Sequence, residues 1–192
     1  MEHWEEYNKL PNKLQLKTNR QFQELWDTHN PNYNKIKIFG KTCYSKRYQN
    51  CYGSTYKFSG VTMPAKPIPT YLQPYIQHFS KLYNVNFNMC LLNFYEDGNH
   101  YIGMHSDNEK QLVKNTPIIT ITFLEDETQP RKFVIQNKKT KEKKVIMLEN
   151  NYYLTMGGNH QDIFKHGIPI QKKISTKRIS ITLRVFSKKN SK

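Results

Sequence analysis

The chain has 192 residues, which is enough for one domain of ordinary size with a hydrophobic core of its own. Lysine and arginine number 30 against 15 acidic residues, so the formal net charge is +15 with histidine neutral. Because 36% of the residues are hydrophobic and 13% are aromatic, we expect a folded protein that favours polyanionic partners, not a disordered tail.

The apolar residues and the cysteines exclude secreted, membrane-spanning and disulfide-framed proteins. No stretch approaches the roughly 20 apolar residues that a membrane helix needs. The first residues, MEHWEEYNKL, lack the apolar segment of a signal peptide. Cys43, Cys51 and Cys90 are odd in number and form no CxxC pair, which is typical of a reducing compartment. We therefore expect an intracellular protein, nuclear or cytoplasmic, with no membrane partner.

The first predicted elements are a short helix and a run of short strands. Phe22, Leu25 and Trp26 recur at spacings of three and four, which predicts a helix over 21–29. Residues 35–60 are aromatic, basic and punctuated by glycines, which indicates short strands joined by tight turns.

A second helix follows a proline-rich connector, and beyond it the pattern changes to that of strands. Thr70 is the expected N-cap of this helix, and its apolar face consists of Leu72, Ile76, Phe79 and Tyr83. From residue 87 onward apolar and polar residues alternate, most clearly over 119–123. Several such strands predict an antiparallel sandwich, barrel or jelly roll.

Two basic segments stand apart from this pattern. Residues 137–144, NKKTKEKK, hold five lysines and one glutamate between two strands, which predicts an exposed hairpin tip. The tail, SKKNSK, is also basic, and we expect it to be mobile.

The last predicted strand, RISITLRVF, carries two arginines on its polar face. Arg178 and Arg184 share that face with Ser180 and Thr182. At about 3.3 Å per residue, the Cα atoms of the two arginines lie roughly 20 Å apart. Because a guanidinium group binds a carboxylate through two hydrogen bonds, the pair suits a short diacid.

A metal site is predicted from three residues. His105 and Asp107 lie two positions apart on an extended segment, so that both side chains point to one side, and His166 follows 59 residues later. Two histidines and one carboxylate form the facial triad that suits non-heme Fe(II) and leaves coordination positions open. The HxD pair alone is weak evidence, because it occurs often by chance.

Several motifs follow one another in order over residues 35–186. They are Ile38-Phe39-Gly40-Lys41, Arg47-x-Gln49, Tyr52-Gly53, Tyr56-x-Phe58-Ser59-Gly60, Asn93-Phe94-Tyr95, Gly98, His105-x-Asp107-x-Glu109, Pro117-Ile118, His166 and Arg178-x-Ser180-x-Thr182-x-Arg184. This order resembles the AlkB family of Fe(II)- and 2-oxoglutarate-dependent nucleic-acid dealkylases. The first four motifs look like the nucleotide-recognition lid of the family member that repairs double-stranded DNA.

The resemblance implies a role for each matching residue. The iron ligands would be His105, Asp107 and His166. The 2-oxoglutarate contacts would be Asn93, Tyr95, Arg178, Ser180, Thr182 and Arg184, with Arg184 holding the distal carboxylate. The substrate contacts would be Phe39, Arg47, Tyr56, Phe58, Ser59, Asn108 and Glu109. Among these, Tyr56 and Phe58 would enclose the extruded base together with His105, Glu109 would read the methylated base, and Phe39 would fill the hole left in the duplex.

The resemblance also implies a fold. It is mainly β (α+β): a double-stranded β-helix, or jelly roll, with flanking helices and an N-terminal nucleotide-recognition lid. We expect one structural domain with an N-terminal extension over 1–34, the lid and a supporting helix over 35–86, the dioxygenase core over 87–186 and the basic tail over 187–192.

The implied reaction is oxidative dealkylation of bases such as 1-methyladenine and 3-methylcytosine in DNA. It would use Fe(II), 2-oxoglutarate and O₂, yield succinate and CO₂, and release formaldehyde; we expect a monomer that prefers duplex DNA. One alternative is a demethylase of RNA or of single strands, which would have no hole for Phe39 to fill. Another is a non-enzymatic basic binding module, which would leave the metal triad unexplained.

Overall fold

The computed structural model describes residues 2–38, 40–58 and 60–187, apart from the side chains at positions 38, 58 and 61. The strands are β1 (Trp4–Lys9), β2 (Lys35–Ile38), β3 (Lys41–Tyr44), β4 (Tyr48–Tyr52), β5 (Tyr56–Phe58), β6 (Val61–Met63), β7 (Met89–Tyr95), β8 (Ile102–His105), β9 (Ile118–Leu124), β10 (Arg131–Asn137), β11 (Lys143–Leu148), β12 (Tyr152–Gly157), β13 (Phe164–Ile168) and β14 (Arg178–Arg184). The helices are α1 (Asn19–Trp26), α2 (Gln73–Tyr83) and α3 (His160–Ile163).

Two antiparallel sheets form the core. The main sheet has six strands in the order β1-β12-β9-β14-β7-β4, and the minor sheet has four in the order β11-β10-β13-β8. Apolar residues of both sheets, among them Ile118 and Met156 on the main sheet and Phe133 and Ile135 on the minor sheet, pack in one buried cluster. The predicted jelly-roll architecture is confirmed.

Helices α1 and α2 cover the other face of the main sheet. Phe22 and Phe79 belong to the same buried cluster as Ile121 and Ile181. Because these isoleucines of β9 and β14 point towards the helices, the polar residues between them point into the space between the sheets. The alternation of side chains therefore directs the polar face of β14 at the candidate site.

The structure shifts the bounds of both predicted helices. Helix α1 begins two residues earlier than predicted, since the Thr18 side chain caps it by accepting a hydrogen bond from the Gln21 backbone N–H. The prediction that Thr70 caps the second helix is wrong. Thr70 begins a 3₁₀ turn, and α2 starts at Gln73 without a side-chain cap. Pro74 follows in the first turn, where a missing N–H leaves no hydrogen bond unmade.

The N-terminal residues belong to the main sheet. Residues 1–34, expected as an extension, contain β1, which pairs with β12 from Trp4 opposite Gly157 to Lys9 opposite Tyr152. The Trp4 indole lies so close over Gly157 that a Cβ there would collide with it. Strand β1 is therefore an edge strand of the main sheet.

The lid segment contains two ribbons. Strands β2 and β3 form one, and β5 and β6 form the other. Gly40 and Gly60 lie at their turns with φ of 75° and 73°, as the glycine punctuation predicted. Phe39, Ser59 and residues 188–192 lie outside the described residues.

The basic hairpin, the three cysteines and the helices were also subjects of sequence-based expectations. Strands β10 and β11 form the predicted hairpin, with residues 138–142 at its exposed tip. Cys43, Cys51 and Cys90 are free. Within the described ranges, no helix combines the length and the apolar character needed to cross a membrane.

Candidate functional site

The predicted metal ligands come together at the edge of the minor sheet. His105 ends β8 and lies directly opposite His166 of β13, while Asp107 follows two residues later. One ligand atom from each of the three residues lies within 4.8 Å of the others, and no second such group occurs in the part of the chain that the structure describes. Two backbone segments that are distant in sequence thus present the facial triad on one side.

Hydrogen bonds fix the segment beyond the end of β8. The backbone N–H of Asp107 donates to the side-chain Oε1 of Gln161 at 2.9 Å. Ser106 Oγ donates to the carbonyl of Phe164 at 2.7 Å. Because Asp107 lies past the last residue of the strand, Gln161 supplies the acceptor that a strand partner would otherwise provide. Sequence reasoning missed Gln161, since nothing near it in sequence marks it.

Arg184 forms a buried ion pair with Asp107. Its Nη2 and Nε donate to Asp107 Oδ2 at 2.7 and 3.1 Å. Asp107 is 2% exposed, so this pair is shielded from water. The guanidinium group of Arg184, predicted to hold the distal carboxylate of 2-oxoglutarate, is thus engaged by a predicted metal ligand, and its role towards the co-substrate stays a prediction.

The electrostatic environment prepares Asp107 and His166 for a cation. Burial raises the pKa of the Asp107 carboxyl, but Arg184 and the two histidines hold it well below its usual range. Burial, reinforced by the charge of His105, lowers the pKa of His166 to about 3, so its imidazole is neutral at pH 7. A carboxylate and a neutral imidazole are the states in which Asp107 and His166 bind a metal.

Unpartnered atoms at the triad fit a bound metal ion. Asp107 Oδ1 and His166 Nδ1 are buried and have no hydrogen-bond partner among the described residues. Buried polar atoms are rarely left without partners in folded proteins. Together with the donor set of two imidazoles and one carboxylate, these atoms fit Fe(II).

A small cavity of about 40 Å³ lies beside the triad. The predicted co-substrate residues line it: Asn93, Tyr95, Arg178, Ser180, Thr182 and Arg184. Arg178 is fully buried; its Nη2 donates to Thr122 Oγ1 at 3.1 Å, while its Nε and Nη1 have no hydrogen-bond partner within the described part of the chain. Burial lowers the pKa of Arg178, an effect that Tyr95 opposes. The cavity wall therefore holds a cation with unused donors.

Asn93 is oriented by two hydrogen-bond donors, one from β4 and one from the residue that precedes β4. Its Oδ1 accepts from Arg47 Nε at 2.8 Å and from Gln49 Nε2 at 2.9 Å. The amide oxygen is thus saturated, which leaves the NH₂ group as the donor that Asn93 can offer to the cavity. Arg47, predicted as a substrate contact, lines both this cavity and the cleft described next.

A cleft of about 1220 Å³ opens between the lid segment and β8 with the loop that follows it. Of the predicted substrate residues, Arg47, Tyr56, Asn108 and Glu109 line it. Tyr56 is buried, which raises the pKa of its phenol, and its ring lies 5.4 Å from the guanidinium carbon of Arg184. Phe39, Ser59 and the Phe58 side chain lie outside the described residues, so their predicted roles stay predictions.

The sequence of this chain is similar to a known family of oxygenases and to several named proteins. Residues 7–184 match the 2OG-Fe(II) oxygenase superfamily. The DNA oxidative demethylase ALKBH2 of Homo sapiens is 30% identical over 161 residues, which cover 78% of this chain and 60% of that protein. The protein of the same name from Arabidopsis thaliana is 24% identical over 202 residues, covering 85% and 63%. This chain therefore spans about three fifths of the length of these relatives.

A solved structure gives independent support for the fold. The structure of OsALKBH1 aligns with a TM-score of 0.57 at 18% sequence identity, covering 94% of this chain and 97% of that one. At this identity the likeness concerns the fold alone.

Proposed function

The chain belongs to the 2OG-Fe(II) oxygenase superfamily, and we propose that it is an oxidative demethylase of N-methylated bases in DNA, of the 1-methyladenine and 3-methylcytosine type. One observation carries this proposal: the His105, Asp107 and His166 triad lies beside a cleft of about 1220 Å³ in a chain of net charge +15. The relatives at 24–30% identity bear the name DNA oxidative demethylase.

His105, Asp107 and His166 would hold Fe(II), with the remaining positions open to the co-substrates. When bound, Fe(II) with 2-oxoglutarate and O₂ supplies the oxidation of the N-methyl group, which leaves as formaldehyde. The protein contributes orientation: Gln161 holds the backbone of Asp107, and Arg184 holds its carboxylate.

Arg178 is the arginine that we assign to the distal carboxylate of 2-oxoglutarate, in place of Arg184. It lines the small cavity with two unused nitrogens, whereas Arg184 is paired with Asp107. A buried guanidinium group with free donors is stabilised by a carboxylate that accepts both of them. The NH₂ group of Asn93 offers a further donor in the same cavity.

The cleft would take the methylated nucleotide after its extrusion from the base stack. Tyr56 and Glu109 offer an aromatic face and a carboxylate, which suit a base made cationic by N-methylation. The net charge provides affinity for phosphates without regard to sequence. We further propose that the enzyme acts as a monomer, prefers duplex DNA and works in the nucleus or cytoplasm, where its substrate lies.

Formaldehyde and succinate release test the proposal directly. The substrate is a DNA oligonucleotide with one 1-methyladenine, supplied with Fe(II), 2-oxoglutarate and O₂. We expect release from the wild-type chain and none from His166→Ala, while His78→Ala serves as the matched control, because His78 is a half-buried residue of α2 that lines neither the cleft nor the small cavity. Equal release from all three proteins, or none from the wild type with any N-methylated base, would refute the proposed function.

A further inference from the structure

Exposed aromatic side chains gather at the mouth of the large cleft. Tyr44 is 53% exposed and Tyr101 is 36% exposed, and both line the cleft. Met104, 40% exposed, lies on the same rim. Tyr44 ends β3 in the lid segment, whereas Tyr101 immediately precedes β8 of the minor sheet, so the two rings come from different elements of the cleft wall.

The backbone that carries both tyrosines is held in place. The N–H of Tyr101 donates to the carbonyl of Lys46, two residues after Tyr44, at 3.0 Å. Ser45, which lies between Tyr44 and Lys46 in the sequence, is buried. Its N–H donates to the Asn34 carbonyl at 2.9 Å, and its Oγ donates to the Arg47 carbonyl at 3.0 Å. The rings are therefore presented to solvent from a fixed rim, and their exposure does not come from a loose loop.

Cations accompany the aromatic rings. Lys46, Lys57 and Lys110 are side chains of the cleft wall. Aromatic rings and lysines that line one groove are the side chains that bind unpaired nucleic acid, with bases stacking on rings and phosphates near the cations. Stacking of this kind accepts every base, since each has a π face.

The size of the cleft exceeds the needs of one nucleotide. Pockets that enclose one small ligand measure roughly 300–1,000 Å³, and this cleft measures about 1220 Å³. Tyr56 lies at its buried end, close to Arg184, and Glu109 is half-buried beside it, whereas Tyr44 and Tyr101 lie at its exposed mouth. The mouth thus has room and apolar surface for bases beside the one that reacts.

We propose that Tyr44 and Tyr101 stack on the unpaired bases that flank the reacting nucleotide, so that the cleft binds a short single-stranded segment of DNA. This inference rests on the proposed function for the identity of the central nucleotide only.

The test measures binding rather than turnover, by fluorescence anisotropy of five-nucleotide DNA strands. In one strand the residues that flank the central 1-methyladenine carry bases; in the other these flanks are abasic. Tyr101→Ala and Tyr44→Ala should each weaken binding of the first strand by roughly 5- to 160-fold, as expected for one lost stack. Both variants should bind the abasic-flank strand as the wild type does. Tyr101→Phe, which keeps the ring, should bind both strands like the wild type.

Tyr71→Ala is the matched control, because Tyr71 is also 37% exposed but does not line the cleft. A thermal melt of each variant verifies that it is folded. Equal losses on both strands, or no loss on either, would overturn the proposal. If the flank effect appears with unmethylated strands as well while no formaldehyde is ever released, the stacking rim stands and the proposed demethylation fails.

Discussion

Replacing Gln161 by leucine removes the acceptor for the Asp107 backbone N–H while nearly keeping the side-chain volume. That hydrogen bond measures 2.9 Å and lies beside a carboxylate that is 2% exposed, so water does not replace the lost partner. An unpartnered buried N–H costs about 1–3 kcal/mol. Residues that orient metal ligands typically change metal affinity by about 10- to 100-fold when mutated. We therefore expect Gln161→Leu to weaken Fe(II) binding by that factor.

The assay is a titration with Mn(II) or Fe(II) under anaerobic conditions, with a thermal melt of the metal-free protein beside it. Gln129→Leu is the matched control, because Gln129 also accepts a backbone N–H, from Ser175 at 3.0 Å, but away from the triad. Gln161→Glu keeps an acceptor and should restore most of the affinity. The reasoning is refuted if Gln161→Leu binds metal like the wild type, or if Gln129→Leu loses as much.

Three further predictions concern the co-substrate, acid stability and strand preference. Arg178→Lys should raise the Kd of 2-oxoglutarate more than that of DNA, whereas Arg184→Lys should chiefly weaken metal binding; the reverse pattern would restore Arg184 as the distal anchor. The contact with His160, whose Nε2 lies 3.6 Å from Glu5 Oε2, together with Lys144 lowers the pKa of Glu5 from 4.5 to about 2, so its stabilisation is present above pH 4.5 and lost as the pH falls towards 2. The Tm advantage of the wild type over Glu5→Gln should shrink over that window, and a constant difference would contradict it. Phe39→Ala should impair repair of duplex DNA and spare that of single strands, and equal losses on both would show that Phe39 is not a wedge.

Periodic patterns made much of the core predictable from sequence. The alternation of apolar and polar residues over 119–123 and over the last strand shows which side chains face apolar neighbours. This pattern can be recognised within each strand, without knowledge of distant contacts. The spacing of His105 and Asp107 likewise places both side chains on one side, and this conclusion requires only that the segment is extended. The face of α1 with Phe22 and Trp26 follows from helical periodicity in the same way.

Features set by distant contacts were not predictable. Strand β1, with the sequence WEEYNK, has no clear alternation, because it lies at the edge of the main sheet and buries little. The partner of Arg184 depends on how the loop after β8 folds back over β14, which no local pattern encodes. Gln161 belongs to a helix of four residues, too short to show a period.

Strand β14 comes last of the strands in chain order, yet it lies between β9 and β7 in the middle of the main sheet. Because the ribosome delivers the chain from its N-terminus, the earlier strands are made while the central place in the sheet is still open. Two unsatisfied strand edges then face each other, and such edges invite pairing with other chains. Arg178 and Arg184 arrive only with the strand that closes this gap. An mRNA truncated before the codons of β14 should therefore yield a product that aggregates and is degraded by proteases. It should not yield a persistent protein that binds iron without its co-substrate.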